Sequence, residues 1–85
     1  MKVIFSPEAE SQFLKCEKTV QRQIQKYLGE IAQLPDPRIR GKALKGNLST
    51  LWRYRTGDWR IICDIQDKKI LITVLRIGNR KEVYR

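Results

Sequence analysis

Apolar and polar positions change their period twice along the chain. Val3, Ile4 and Phe5 form a short apolar run that stops at Ser6-Pro7. This predicts a strand over Lys2 to Phe5, with Ser6 suited to cap a helix and Pro7 to its first turn. A helix is expected over residues 7–17, where Ala9, Phe13, Leu14 and Cys16 make a modest stripe among charged neighbours. Thr19 is a second candidate cap. Beyond it Val20, Ile24, Tyr27, Leu28, Ile31 and Leu34 recur at helical spacing, so one face of a longer helix is apolar. Pro35-Asp36-Pro37 ends that helix.

The second half switches to β character. Residues 35–49 read as a connector anchored by Ala43-Leu44. Leu51 to Thr56, Trp59 to Ile65 and Ile70 to Arg76 are rich in aromatic and β-branched residues and are separated by Gly57-Asp58 and Gln66-Asp67-Lys68-Lys69. Short turns imply antiparallel neighbours. Residues 77–85 read as a polar tail. The order is βααβββ, an α+β fold in one domain over residues 1–85. Two N-terminal helices pack on one face of a small, mainly antiparallel sheet, and the other face is left partly open.

Charge sharpens this picture. The net charge is +9, and none of it comes from the helical half: up to Pro37 five basic residues meet five acidic ones. From Arg38 onward thirteen basic residues face only Asp58, Asp64, Asp67 and Glu82. The sheet half therefore carries the electrostatic footprint of a polyanion partner. Cys16 and Cys63 are too isolated for a disulfide framework and read as reduced residues of a cytoplasmic protein. No apolar stretch approaches a membrane span, and no signal-peptide core is present.

Strand alternation places Arg53 and Arg55 on one face and Trp52 and Tyr54 on the other. A tight turn at Gly57-Asp58 brings Arg60 to the arginine face. Three guanidinium groups so close repel one another unless an anion or acidic neighbours offset them, and phosphate matches their planar donors. The alternative is that these arginines pair with Asp58, Asp64 and Glu82 or are simply solvated. Trp52, Tyr54 and Trp59 have surfaces on which bases can stack. Packing beneath the helices is the favoured role for Trp52 and Tyr54, and Trp59 is open between the two. With no histidine, no metal-ligand spacing and no Gly-rich phosphate loop, cleavage of RNA would fall to arginines, lysines and a tyrosine, without metal or cofactor.

Three runs carry a family pattern: Lys42-Ala43-Leu44-Lys45-Gly46, Leu51 to Ile62, and Ile77-Gly78-Asn79-Arg80-Lys81-Glu82-Val83-Tyr84-Arg85. In this order they resemble the RelE branch of the RelE/ParE toxin superfamily, and the resemblance spans nearly the whole chain. It implies a metal-independent endoribonuclease toxin of a type II toxin-antitoxin system that cleaves mRNA in the ribosomal A site by 2′-hydroxyl attack. By motif position, Arg60 matches the arginine that stabilises developing phosphate charge, Arg53 a basic strand residue of the site, and Arg80 the arginine after the last-strand Gly. Tyr84 matches the tyrosine that activates the 2′-hydroxyl. Arg55, Lys42, Lys45, Lys81 and Arg85 are implied RNA-binding neighbours. Asn79 stands where many relatives carry His, and the general acid is unassigned. The implied partners are mRNA, the ribosome with its 16S rRNA, and a cognate antitoxin in a hetero-oligomer. Two other readings stay open: a ParE-like poison of DNA gyrase, and a basic RNA- or ribosome-binding module without catalysis.

Overall fold

The computed structural model describes residues 1–44 and 51–79. Strand β1 (Lys2–Phe5) leads into helix α1 (Pro7–Leu14), and the Ser6 hydroxyl caps that helix by accepting from the Ala9 N–H at 3.1 Å. The helix is three residues shorter than its stripe suggested, because Cys16 N–H turns back to the Phe13 carbonyl at 3.0 Å. Helix α2 (Lys18–Gln33) starts earlier than expected. Glu17, rather than Thr19, occupies its cap position without a side-chain bond, while Gln21 Nε2 ties back to the Cys16 carbonyl at 3.0 Å. A 3-10 turn at Pro37–Ile39 follows.

Strands β2 (Lys42–Ala43), β3 (Leu51–Thr56), β4 (Trp59–Gln66) and β5 (Leu71–Asn79) form an antiparallel succession, and β1 lies parallel to β5 at the far side. The sheet order is β1-β5-β4-β3-β2. The two-residue turn at Gly57 and Asp58 forms as anticipated, with Gly57 at φ +60°. Two expectations need correction. The connector contains a short strand, β2. The supposed tail begins later than residue 77, since Ile77, Gly78 and Asn79 continue β5 by pairing with Ile61, Arg60 and Trp59.

The core lies between the helices and one face of the sheet. Ala9, Phe13, Ile24, Leu28 and Ile31 meet Tyr54, Ile61, Cys63, Ile65, Ile72, Val74 and Ile77, all buried. Tyr54 is both core and tether: its ring is inaccessible and its hydroxyl donates to the Pro37 carbonyl at 2.6 Å. Trp52 and Trp59 pack half-buried against the same cluster, which assigns both to the helix side of the sheet.

One irregularity sets the orientation of everything beyond it. Ile62 pairs with Arg76, but Cys63 pairs with Val74, so Leu75 is the extra residue of a β-bulge. Strict alternation from Ile72 and Val74 would send Arg76 inward and Ile77 outward. The bulge reverses this, and Ile77 is buried while Arg76 is exposed. Helix α1 and its cap hold the bulge: the Ser6 hydroxyl donates to the Leu75 carbonyl at 3.2 Å, and Gln12 Oε1 accepts from the Ile77 N–H at 2.6 Å.

Candidate functional site

The face of the sheet away from the helices collects the cations. Lys42 lies opposite Arg53, which lies opposite Ile62 and then Arg76; one row further, Arg55 lies directly opposite Arg60, which lies opposite Gly78. Like charges placed directly across a strand pair are unfavourable in themselves. The arrangement is thus a structural liability that a bound anion would relieve. Asp64 lies on the same face but is engaged by Gln66, whose Nε2 donates to Oδ2 at 2.8 Å.

Two arginines away from this face are paired. Arg38 clasps Asp67 with two bonds of 3.1 and 2.8 Å, and Arg40 binds Glu30 at 2.8 Å. These guanidinium groups hold the Asp67 and Glu30 carboxyls below their ordinary range through those hydrogen bonds. Among the described residues, neither Arg53 nor Arg55 takes part in an ion pair. The anticipated pairing of Arg53 or Arg55 with Asp58 or Asp64 is therefore not formed, and Glu82 lies outside the described residues.

Two hollows adjoin on this face and share Arg53 and Arg60. One, of about 460 Å³, has an apolar floor of Leu44, Ile62 and Leu75, with Arg53, Arg60, Arg76 and Glu8 around it. The other, of about 280 Å³, is lined by Lys42, Arg53, Arg55 and Arg60 together with Tyr27 and Gly41. Gly41 adopts φ +79°, and a Cβ there would run into the Arg53 carbonyl oxygen and stand 2.7 Å from Trp52 Nε1. Only glycine lets the connector lie this close to β3, where Trp52 Nε1 clamps it by donating to the Arg40 carbonyl at 2.6 Å.

Of the residues anticipated from the sequence, Lys42, Arg53, Arg55 and Arg60 come together in one hollow. Lys45, Arg80, Lys81, Tyr84 and Arg85 lie outside the described residues. Sequence reasoning missed Tyr27, Gly41, Arg76 and the apolar floor. Tyr27 was hidden by its place in the α2 stripe, and Arg76 by the bulge. Cys63 is no nucleophile: burial pushes its thiol up to about 12. The described side chains of the site can bind an anion and stabilise growing negative charge at phosphorus, acting as fixed donors.

The fold and this surface belong to a small α+β protein whose helices cover one sheet face and whose other face gathers arginines from β3, β4 and β5. Residues 3–84 match the family described as the ParE toxin of the type II toxin-antitoxin system parDE. The chain belongs to that family, within the RelE/ParE superfamily. Solved structures share the fold. The toxin-antitoxin complex RelBE2 from Mycobacterium tuberculosis is 22% identical with a TM-score of 0.82, over 93% of this chain and 90% of that one. A mutant of Escherichia coli RelE in the free state is 26% identical with a TM-score of 0.79, over 98% and 88%. The archaeal RelE-RelB complex from Pyrococcus horikoshii is 23% identical with a TM-score of 0.76, over 93% of each chain. No curated protein sequence matches the chain.

Proposed function

We propose that this toxin is a metal-independent endoribonuclease that cleaves mRNA in the ribosomal A site and so stops translation. The observation that carries this reading is the arginine face: guanidinium groups crowded across β3 and β4, with Arg53 and Arg55 lacking ion pairs among the described residues. In the reaction the ribose 2′-oxygen attacks the adjacent phosphorus and the bond to the 5′-oxygen breaks. The departing 5′-oxygen takes a proton from water, so the products are a 2′,3′-cyclic phosphate and a 5′-hydroxyl. Arg60 and Arg53 stabilise the charge that develops on the phosphoryl oxygens. By motif position Tyr84 takes the 2′-hydroxyl proton and Arg80 adds positive charge for the same phosphate; a phenolate is favoured where guanidinium groups are close. Arg55, Lys42, Lys45, Lys81 and Arg85 hold the RNA backbone.

The structural relatives solved as RelBE complexes support a cognate antitoxin as partner. In this reading the antitoxin forms a hetero-oligomer with the toxin in the cytoplasm and masks this face. Primer extension on a reporter message after brief induction tests the reading. Discrete cuts inside the translated frame that vanish in Arg80→Ala and Tyr84→Phe are expected.

The family match to ParE favours a second reading, a poison of DNA gyrase that does no RNA chemistry. Growth arrest with intact message and accumulating broken DNA would select it.

A further inference from the structure

The hollow at the β2 edge contains a residue that the arginine pattern does not account for. Tyr27 projects from α2 beside Lys42, Arg53, Arg55 and Arg60, and with Gly41 it closes a recess otherwise lined by cations. Its ring is fixed from two sides. It meets the Tyr54 ring edge-on with centroids 6.0 Å apart, and the Arg40 guanidinium lies 5.7 Å from its centroid. Arg40 is itself held by Glu30 at 2.8 Å. Burial raises the phenol above its usual range despite Arg40, so Tyr27 is a neutral O–H donor at physiological pH. A rigid donor, a lysine and three guanidinium groups around one small recess are the components of a phosphate site. The close approach of Gly41 to β3 puts Lys42 opposite Arg53 and so gives that recess its edge.

We propose that this recess binds a backbone phosphate of the RNA strand next to the phosphate that is cleaved, with Tyr27 and Lys42 as binding residues. The inference rests on the ribonuclease reading for the identity of the polyanion. Arg53 and Arg60 line both hollows, so a single strand can place one phosphate in the recess and the neighbouring nucleotide over the apolar floor of Leu44, Ile62 and Leu75. Tyr27 acts on affinity and takes no part in proton transfer.

The test is fluorescence anisotropy of the purified full chain with a short single-stranded RNA that is 2′-O-methylated throughout, which removes the attacking hydroxyl. Salt is varied from about 50 to 200 mM. Lys42→Gln is expected to lower the slope of log affinity against log salt by about 0.7, the loss of one phosphate contact to a single strand. Tyr27→Phe keeps the ring contacts and the charge, so it should weaken binding about five- to tenfold at every salt concentration with the slope unchanged. An unaltered melting temperature in Tyr27→Phe ties its effect to the hydroxyl. Wild-type affinity and slope in both variants would overturn the site, as would failure of the wild type to bind the oligomer. The two readings fail separately. A wild type that binds as described but leaves messages intact refutes cleavage and keeps the recess, whereas cleavage with both variants binding like wild type refutes the recess alone.

Discussion

Arg60 and Ile61 are neighbours in the chain and face opposite sides of the same strand. Ile61 is fully buried between sheet and helices, across from Tyr54 and Ile77. Arg60 sits across from Arg55 and Gly78 on the face the helices leave open. The inner face joins groups whose burial is favourable, whereas the outer face gathers groups whose mutual charge is unfavourable. Stability is therefore concentrated on the inner side and binding chemistry on the outer.

The sharpest way to break this division is to exchange the two residues' roles. Arg60→Ala is expected to slow message cleavage roughly 100- to 1,000-fold, the scale for losing one donor to transition-state charge, while the melting temperature stays close to wild type. A comparable loss of stability in Arg60→Ala, read by thermal denaturation, would place Arg60 in the framework instead. Ile61→Ala should do the reverse. It is expected to destabilise the fold by about 2–5 kcal/mol and to leave activity per folded molecule intact, measured by urea denaturation alongside a cleavage assay.

Tyr54→Phe probes the inner side more finely. It keeps the buried ring but removes the 2.6 Å bond to the Pro37 carbonyl, so a loss of about 1–2 kcal/mol is expected, with little change in cleavage. The smallest effect concerns acid stability. Asp67 is held below its ordinary range by Arg38, so the pair contributes stability above the unfolded carboxyl's pKa and loses it as pH falls through the folded value. Arg38→Gln should therefore flatten the acid side of the pH-stability profile slightly, since both partners are solvent-accessible. An unchanged profile would show that the clasp contributes nothing measurable.

Much of the two-faced sheet was legible in the sequence, because alternation in Leu51–Thr56 is unbroken and Gly57-Asp58 fixes the register to β4. The Ser6-Pro7 start of α1 was legible for a similar reason: capping chemistry is local. What escaped depends on distant contacts. The Leu75 bulge is anchored by Ser6 and Gln12, sixty or more residues away, and only the spacing of Ile72, Val74 and Ile77 hints at it. Gly41 looks like any loop glycine until β3 lies against it. Tyr27 is one more apolar position of a helical stripe until its neighbours are seen to be Lys42 and the arginines.

In the proposed reaction the open face positions RNA for attack by its own 2′-hydroxyl. The most direct test incubates the purified wild-type protein with ribosomes programmed with either of two messages, identical except for ribose or 2′-deoxyribose at the cleaved position. A discrete cut is expected in the ribose message and none at that position in the deoxyribose message. Equal cutting of both, or of neither, would contradict it.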